Sequence, residues 1–399
     1  MQAFSTFIRG PWRAVPVLGI TQILAWGAIF YPPVLTVPLI AAERGWSATF
    51  TMGGLSAGLL IAGLVSPLIG SLIDRHGGHR IMPLGSLMGA AGLVGLVFAT
   101  HPVAYLAVWM LLGAAMAASL YDPAFATLGR IFGSAARQPI TLITFAGGFA
   151  STVSWPVTYV LLTSLGWHYT YMVYAVILAL VAAPLHAFAL PRDRATPDVP
   201  AKSGGASPAP VLPARGLAFV LVTAAFATYA FVPSGLAAHL IAIFVRFGID
   251  PATVVVIGAL FGPAQVAARL CEFIFARNVH PLWVARFSIG LLVLAFVMLA
   301  ALGVSVITAA AFALMFGAAN GIVTITRGTL PLALFGPNGY GRVLGRIAGP
   351  FLVIQAAAPL VMALVAERSS DPVALAVAAA FAAVALACLA LLRRPKPGV

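Results

Sequence analysis

GWSATFTMGGLSAGLLIAGLVSPLIGSLIDRHGGHR, Gly45 to Arg80, has no charged side chain between Arg44 and Asp74, then gathers Asp74, Arg75 and Arg80 into one short turn. The uncharged part is longer than the roughly 20 residues an α-helix needs to cross a hydrocarbon core. Inside lipid every backbone N–H and C=O must be paired within the segment, which a helix does and an open strand does not. The rest of the chain repeats the pattern. Of 399 residues, 62% are hydrophobic and 8% charged, and the mean hydropathy is +1.05. Soluble domains carry about 25% charged residues. With 22 basic and nine acidic side chains, a soluble surface of this size could not be covered. A soluble enzyme, a disulfide scaffold and a disordered chain are excluded as the main architecture.

Breaking the chain at charges and at Gly, Pro and Ser punctuation predicts twelve helices. They run 14–41, 48–72, 80–100, 103–132, 139–164 and 168–190, then 216–246, 251–276, 281–302, 305–335, 343–366 and 372–392. One long polar stretch, PRDRATPDVPAKSGGASPAPVLPAR (Pro191 to Arg215), separates the sixth from the seventh and has linker composition. The expected organisation is an N-terminal six-helix bundle over 1–190, a cytoplasmic linker over 191–215, and a C-terminal six-helix bundle over 216–399. The expected fold class is all-α integral membrane, with twelve transmembrane helices in two pseudo-symmetric halves.

A formal net charge of +13 suggests nucleic acid in a soluble protein. Here the basic side chains follow the positive-inside rule instead. With the N-terminus inside, seventeen Arg and Lys fall in cytoplasmic segments, including Arg9, Arg13, Arg75, Arg80, Lys202, Arg342 and Arg394. Three fall outside: Arg44, Arg246 and Arg368. Both termini and the linker are expected in the cytoplasm. The first hydrophobic stretch is too long for a signal-peptide core and is read as an uncleaved helix. Cys271 and Cys388 both lie in apolar runs and suggest neither a disulfide nor a metal site.

The halves are weakly alike. A shift of about 202 residues lays IGSLIDR (Ile69 to Arg75) over CEFIFAR (Cys271 to Arg277), and LLGAAMAASLYDP (Leu111 to Pro123) overlays LMFGAANGIVTITR (Leu314 to Arg327). Ser47 and Asp250 stand at matching positions as N-caps, with Pro251 in the first turn. Parallel halves with a site between them near the bilayer midplane are a common plan of secondary transporters.

Four charged residues fall inside predicted helices: Asp122, Arg269, Glu272 and Arg327. A charge at the bilayer centre costs about 2.5–3.5 kcal/mol on insertion scales, so each needs a partner or a task. Arg269 offers a planar fork for a carboxylate; alternatively it pairs with Glu272 one turn on. Glu272 lies near the cytoplasmic end, where a gate or structural role is expected. Asp122 and Arg327 fall at equivalent depths, as a latch or as a proton site and a substrate contact. Asp122, followed by Pro123, could instead satisfy backbone groups at a helix break. Tyr31, Tyr121, Trp155, Tyr229, His239, Asn320 and Gln355 are polar or aromatic candidates for a cavity wall. Prolines 32, 33, 156, 233, 263, 350 and 359 suggest helix bends.

GSLIDRHGGHR (Gly70 to Arg80), between the second and third helices, has the form G-x-L-x-D-R-x-G-x-x-R. It resembles the signature loop of the major facilitator superfamily. That resemblance implies an alternating-access transporter in which Gly70, Asp74, Arg75, Gly77 and Arg80 support gating. The counterpart after the eighth helix has Ala276 in place of the acid. Within the superfamily, Gly45 to Arg80, YDPAFATLGRIF (Tyr121 to Phe132) and LGWHYTYMVYAVI (Leu165 to Ile177) resemble monocarboxylate transporters and the bacterial oxalate-formate-like branch. GPAQVAARL (Gly262 to Leu270) is similar to the segment holding that branch's carboxylate-binding arginine, here Arg269. Animal members have an aspartate where this chain has Gln265.

The seven histidines are scattered, with no metal-ligand spacing, and no phosphate-binding G-x-x-x-x-G-K-[ST] loop is present. The expectation is therefore a secondary transporter and not an enzyme, without cofactor, metal or nucleic acid. It would move a small organic anion, a monocarboxylate, with a proton or by exchange, through Arg269, Arg327, Tyr31, Tyr121 and Asn320. Monomeric residence in a bacterial inner membrane is expected, since twenty arginines against two lysines, with abundant Ala and Gly, suit a GC-rich bacterial gene. The alternative is proton-driven efflux of drug-like compounds. Against it, TFAGGFASTVSWPVTY (Thr144 to Tyr159) puts Trp155-Pro156 where antiporters of that kind have Gly-Pro.

Overall fold

The computed structural model describes residues 10–192 and 212–393. Most of the linker, and Arg9, Arg194, Lys202, Arg394 and Lys396, lie outside the described residues. Every regular element among the described residues is helical. Fifteen α-helices follow in order: α1 Ala14–Ala25, α2 Pro33–Arg44, α3 Ala48–His76, α4 Gly78–Phe98, α5 Pro102–Ser119, α6 Tyr121–Phe132, α7 Arg137–Gly148, α8 Ala150–Ile177, α9 Leu217–Arg246, α10 Pro251–Ala259, α11 Phe261–Phe275, α12 Pro281–Leu302, α13 Val306–Phe335, α14 Tyr340–Arg368 and α15 Asp371–Leu391. Among the described residues, ten stretches are long and apolar enough to cross a membrane. One of them, Pro102–Ala189, is 88 residues long and covers three of the helices expected from sequence. Large apolar side chains lie exposed along the helices, Leu64, Phe98 and Ile307 among them. An apolar surface of this extent needs lipid around it.

Several expected helices are interrupted, three of them beside proline and the fifth, expected over 139–164, at Phe149 with no proline adjacent. The first, expected over 14–41, passes through a π-helical turn at Trp26–Phe30, where the Tyr31 N–H reaches back to the Trp26 carbonyl, before Pro32 and Pro33 start α2. The fourth, expected over 103–132, breaks at Leu120, whose backbone is extended. Pro123 then sits in the first turn of α6, where an N–H has no acceptor within its own helix. The eighth, expected over 251–276, is divided at Leu260 ahead of Pro263. Pro156, Pro233, Pro350 and Pro359 instead lie where the helix runs on past them, although α8 itself is broken further along at Gly166 (φ +78°, ψ 170°), between the fifth and sixth helices expected from sequence.

A proline also leaves the carbonyl four residues before it without its helical partner. In lipid another donor must supply one. Pro123 orphans the Ser119 carbonyl, and the buried Gln22 amide donates to it at 2.9 Å. Pro359 orphans the Gln355 carbonyl, and the Ser234 hydroxyl donates to it at 2.7 Å. Helix C-termini are met similarly, by arginines that also suit the negative end of the helix dipole. Arg44 donates to the Val97 carbonyl of α4 at 2.9 Å, and Arg130 to the Asp74 carbonyl of α3. Arg286 reaches three carbonyls at the end of α15, Leu389, Ala390 and Leu392.

The chain forms two compact units. The first holds the residues up to Ala214 together with Pro331–Gly349. The second holds Arg215–Leu330 and Pro350–Arg393. In the first, Ile73, Leu128, Ile131, Leu332, Tyr340 and Leu344 share one buried cluster. The beginning of α14 joins this unit because it approaches α3 at backbone distance. A Cβ on Gly341 would meet the Gly70 carbonyl, and one on Gly345 the Ser66 carbonyl. Glycines spaced by four lie on one helix face, so the two backbones can come together along a line. In the second unit, α9 packs against α15, with Phe231 stacked on Phe381 at 4.0 Å between ring centroids.

Candidate functional site

Ser47 caps α3, its hydroxyl accepting from Phe50 N–H at 3.1 Å. The helix then runs without a charge until Asp74, one turn from its end. Gly77, with φ +82°, ends α3 and starts α4 directly. A left-handed backbone of that kind suits glycine, and a Cβ there would also crowd the His79 ring. The two helices meet with no intervening loop, which leaves Asp74 half-buried and Arg75 and Arg80 exposed. The Asp74 carboxylate accepts from the backbone N–H of Gly341 at 2.9 Å and of Arg342 at 2.8 Å. Both groups belong to the first turn of α14, whose N–H groups lack helical partners and whose dipole end is positive. Of the motif residues, Gly70 and Asp74 therefore meet the start of α14, Gly77 makes the turn, and Arg75 and Arg80 face outward.

This clasp yields a direct expectation. Asp74→Asn keeps one acceptor but loses the charge and the second oxygen, and hydrogen bonds to a charged group are worth about 1.5–3 kcal/mol. Amide exchange at Gly341 and Arg342, followed by mass spectrometry, is expected to quicken about tenfold or more. Unchanged protection at both amides would show that the carboxylate does not hold α14.

The first unit also brings Tyr31 and Tyr121 together through Trp26. Trp26 lies 6.0 Å from Tyr31 and 5.2 Å from Tyr121 between ring centroids. Trp155 meets Tyr31 edge-on at 6.2 Å. The π-helical turn places Trp26, Phe30 and Tyr31 in this cluster, and such turns frequently mark functional positions. Asp122 stands in the first turn of α6, just past the break at Leu120.

In the second unit, α11 carries Arg269 and Glu272, both buried. Arg269 donates to the Gly321 carbonyl at 3.3 Å and to the Gln265 side-chain oxygen at 3.5 Å. It can reach α13 because Gly317 and Gly321 have no side chain: a Cβ on Gly321 would press on the Gln265 backbone. Asn320 accepts from the Tyr229 hydroxyl at 2.5 Å. Arg327 lies over the Phe351 ring, 4.1 Å from its centroid, so its charge rests on an aromatic face. Arg269, Asn320 and Tyr229 thus meet at residues 320–321 of α13, and Arg327 stands two turns further along the same helix. Asp122 belongs to the first unit and Arg327 to the second.

Some partners could not be found from single residues. Arg130, which caps α3 beside Asp74, reads in sequence as one more cytoplasmic arginine. Phe351 reads as an ordinary apolar residue. The four-residue spacing of Gly341, Gly345 and Gly349 was the available signal for a close helix contact.

Residues 17–348 match the sequence model of the Major Facilitator Superfamily. The chain belongs to this family, whose members are transporters and not enzymes. No curated protein matches the sequence significantly. Among solved structures, the human organic anion transporter MFSD10 (TETRAN) is similar, with TM-score 0.72 and 18% identity over 95% of this chain and 99% of that one. The proton:xylose symporter XylE, bound to 6-bromo-6-deoxy-D-glucose, gives TM-score 0.70 and 12% identity over 96% and 95%. At these identities the likeness is one of fold. The protein is a multi-pass helical membrane protein of that fold.

Proposed function

We propose that this chain is a twelve-crossing secondary active transporter of a bacterial inner membrane that moves a small organic anion, a monocarboxylate, coupled to protons or by exchange. The observation that carries the reading is that two arginines stand in apolar helices of the same unit, Arg269 bonded to Gly321 next to the pair of Tyr229 and Asn320, and Arg327 two turns further along α13. A guanidinium in such a place presents a lasting positive charge and a planar set of N–H donors that a carboxylate fits with two parallel hydrogen bonds. Tyr31 and Tyr121 are proposed as further substrate contacts, and Asp122 and Glu272 as the groups that carry a proton or latch the cycle. One solved structure of similar fold is that of a human organic anion transporter. The moving halves are proposed to be 1–190 and 216–399, joined by the 191–215 linker.

In this reading the clasp at Asp74 opens and closes during the cycle. Gly70, Asp74, Arg75, Gly77 and Arg80 act on turnover and do not touch substrate. Uptake into proteoliposomes under an imposed pH gradient tests the proposal, with small carboxylates and cationic dyes offered in parallel. Saturable, gradient-dependent carboxylate movement is expected. Dye movement without carboxylate movement would replace the reading with drug efflux.

The same reading sets the topology. Reporter fusions at the N-terminus, at the C-terminus and near Lys202 should all read cytoplasmic, given seventeen basic residues on one side against three on the other. A periplasmic signal from the fusion near Lys202 would overturn the six-plus-six arrangement.

A further inference from the structure

A cavity of about 600 Å³ opens in the second unit where α9 and α14 end and α15 begins. Its polar lining is His239, Arg246, Glu367, Ser370 and Asp371. Phe247 and Pro372 contribute apolar wall. None of these residues belongs to the arginine cluster, and the charge distribution places this end of the unit on the non-cytoplasmic side.

The charges of the lining are unevenly matched. Arg246 is held by Asp371 through two parallel hydrogen bonds, both at 2.7 Å. That two-pronged pair neutralises the one cationic side chain and fixes its fork. It also suits both helix dipoles, since Arg246 closes α9 and Asp371 opens α15. Glu367 makes no hydrogen bond or ion pair with any described residue. The lining therefore holds one positive and two negative charges, and the unmatched one is a carboxylate. His239 places Nε2 3.1 Å from the Pro359 carbonyl oxygen. A carbonyl only accepts, so Nε2 carries a proton there. The Glu367 carboxylate, the spare lone pairs of Asp371 and the Ser370 hydroxyl supply the acceptor capacity of the lining. A ligand suited to this cavity brings N–H donors and a positive charge, with an apolar body for the remaining wall.

We propose that this cavity is a binding site for an organic ammonium ion, a protonated amine on a small apolar body, separate from the arginine cluster. It goes beyond the anion-transport reading and does not depend on it.

The test uses the full chain in nanodiscs of zwitterionic lipid, so that no anionic headgroup captures the probe. Equilibrium binding is measured for radiolabelled 2-phenylethylammonium and for 3-phenylpropionate, its carboxylate counterpart of similar shape. Saturable ammonium binding is expected. Glu367→Gln should weaken it about fivefold, the scale of a partly exposed charge pair. Asp371→Asn leaves Arg246 unmatched, so ammonium binding should fall again while 3-phenylpropionate binding strengthens. Glu367 is exposed and makes no contact that folding would miss, and a thermal midpoint equal to the parent protein's confirms that the variant is intact. Absence of saturable ammonium binding, or affinity unchanged by Glu367→Gln, overturns the proposal. A reduced affinity in Arg269→Ala as great as in Glu367→Gln would place the ammonium elsewhere and overturns it too.

Discussion

Arg269→Ala is expected to weaken binding of a small carboxylate about ten- to hundredfold, because it removes a charge-assisted hydrogen bond of roughly 1.5–3 kcal/mol. Arg327→Ala should act on the same scale, with a further loss of order where the guanidinium now rests on the Phe351 ring. Arg269→Lys should restore part of the loss. An ammonium keeps the charge, but it is a point donor without the planar fork, and it would not span the Gly321 carbonyl and the Gln265 side chain as the guanidinium does. Equilibrium binding of labelled lactate and benzoate to the purified protein measures all three variants. If both alanine variants bind these anions as the parent protein does, the carboxylate reading fails.

Gly341→Val is the second large change. The added Cβ would meet the Gly70 carbonyl oxygen and crowd the Asp74 carboxylate. Backbone atoms cannot yield as a flexible side chain does, so α14 must move away from α3. Overpacking of this kind costs about 1–3 kcal/mol, and the two hydrogen bonds to Asp74 are lost with it. Turnover is expected to fall more than tenfold and the thermal midpoint to drop, while carboxylate binding survives because Arg269 and Arg327 are untouched. Gly258→Ala supplies the control: a Cβ built there meets nothing within 4 Å beyond its own stretch of helix, and alanine is the better helix former. Normal turnover in Gly341→Val would show that the close approach of α3 and α14 has no part in transport.

Helix interruptions were partly legible in advance. Pro32–Pro33, Pro123 and Pro263 stand at or near true breaks, whereas Pro156, Pro233, Pro350 and Pro359 sit in helices that continue. Proline alone does not separate the two cases. The outcome depends on what satisfies the orphaned carbonyl, and that donor lies on another helix. Gln22 is 97 residues from Ser119, and Ser234 is 121 from Gln355. A sequence shows which carbonyl loses its partner and says nothing of what will replace it.

The same division runs through the candidate site. Arg269 and Arg327 were conspicuous from sequence because a charge in an apolar run is costly wherever the helix happens to pack. Asp74 was conspicuous because its spacing from Gly70, Gly77 and Arg80 is local. Its partner was not, for the carboxylate binds two backbone N–H groups 267 and 268 residues away, and backbone groups look alike at every position. Nor could the sequence show that Tyr229 pairs with Asn320, or that Glu367 is left unmatched when Arg246 turns to Asp371. Hydrophobic length and charge placement are properties of single segments and determine that this chain is a helical membrane protein of many crossings. Which donor meets which acceptor is a property of packed pairs, and only the tertiary structure, by bringing distant helices to within hydrogen-bonding distance, decides it.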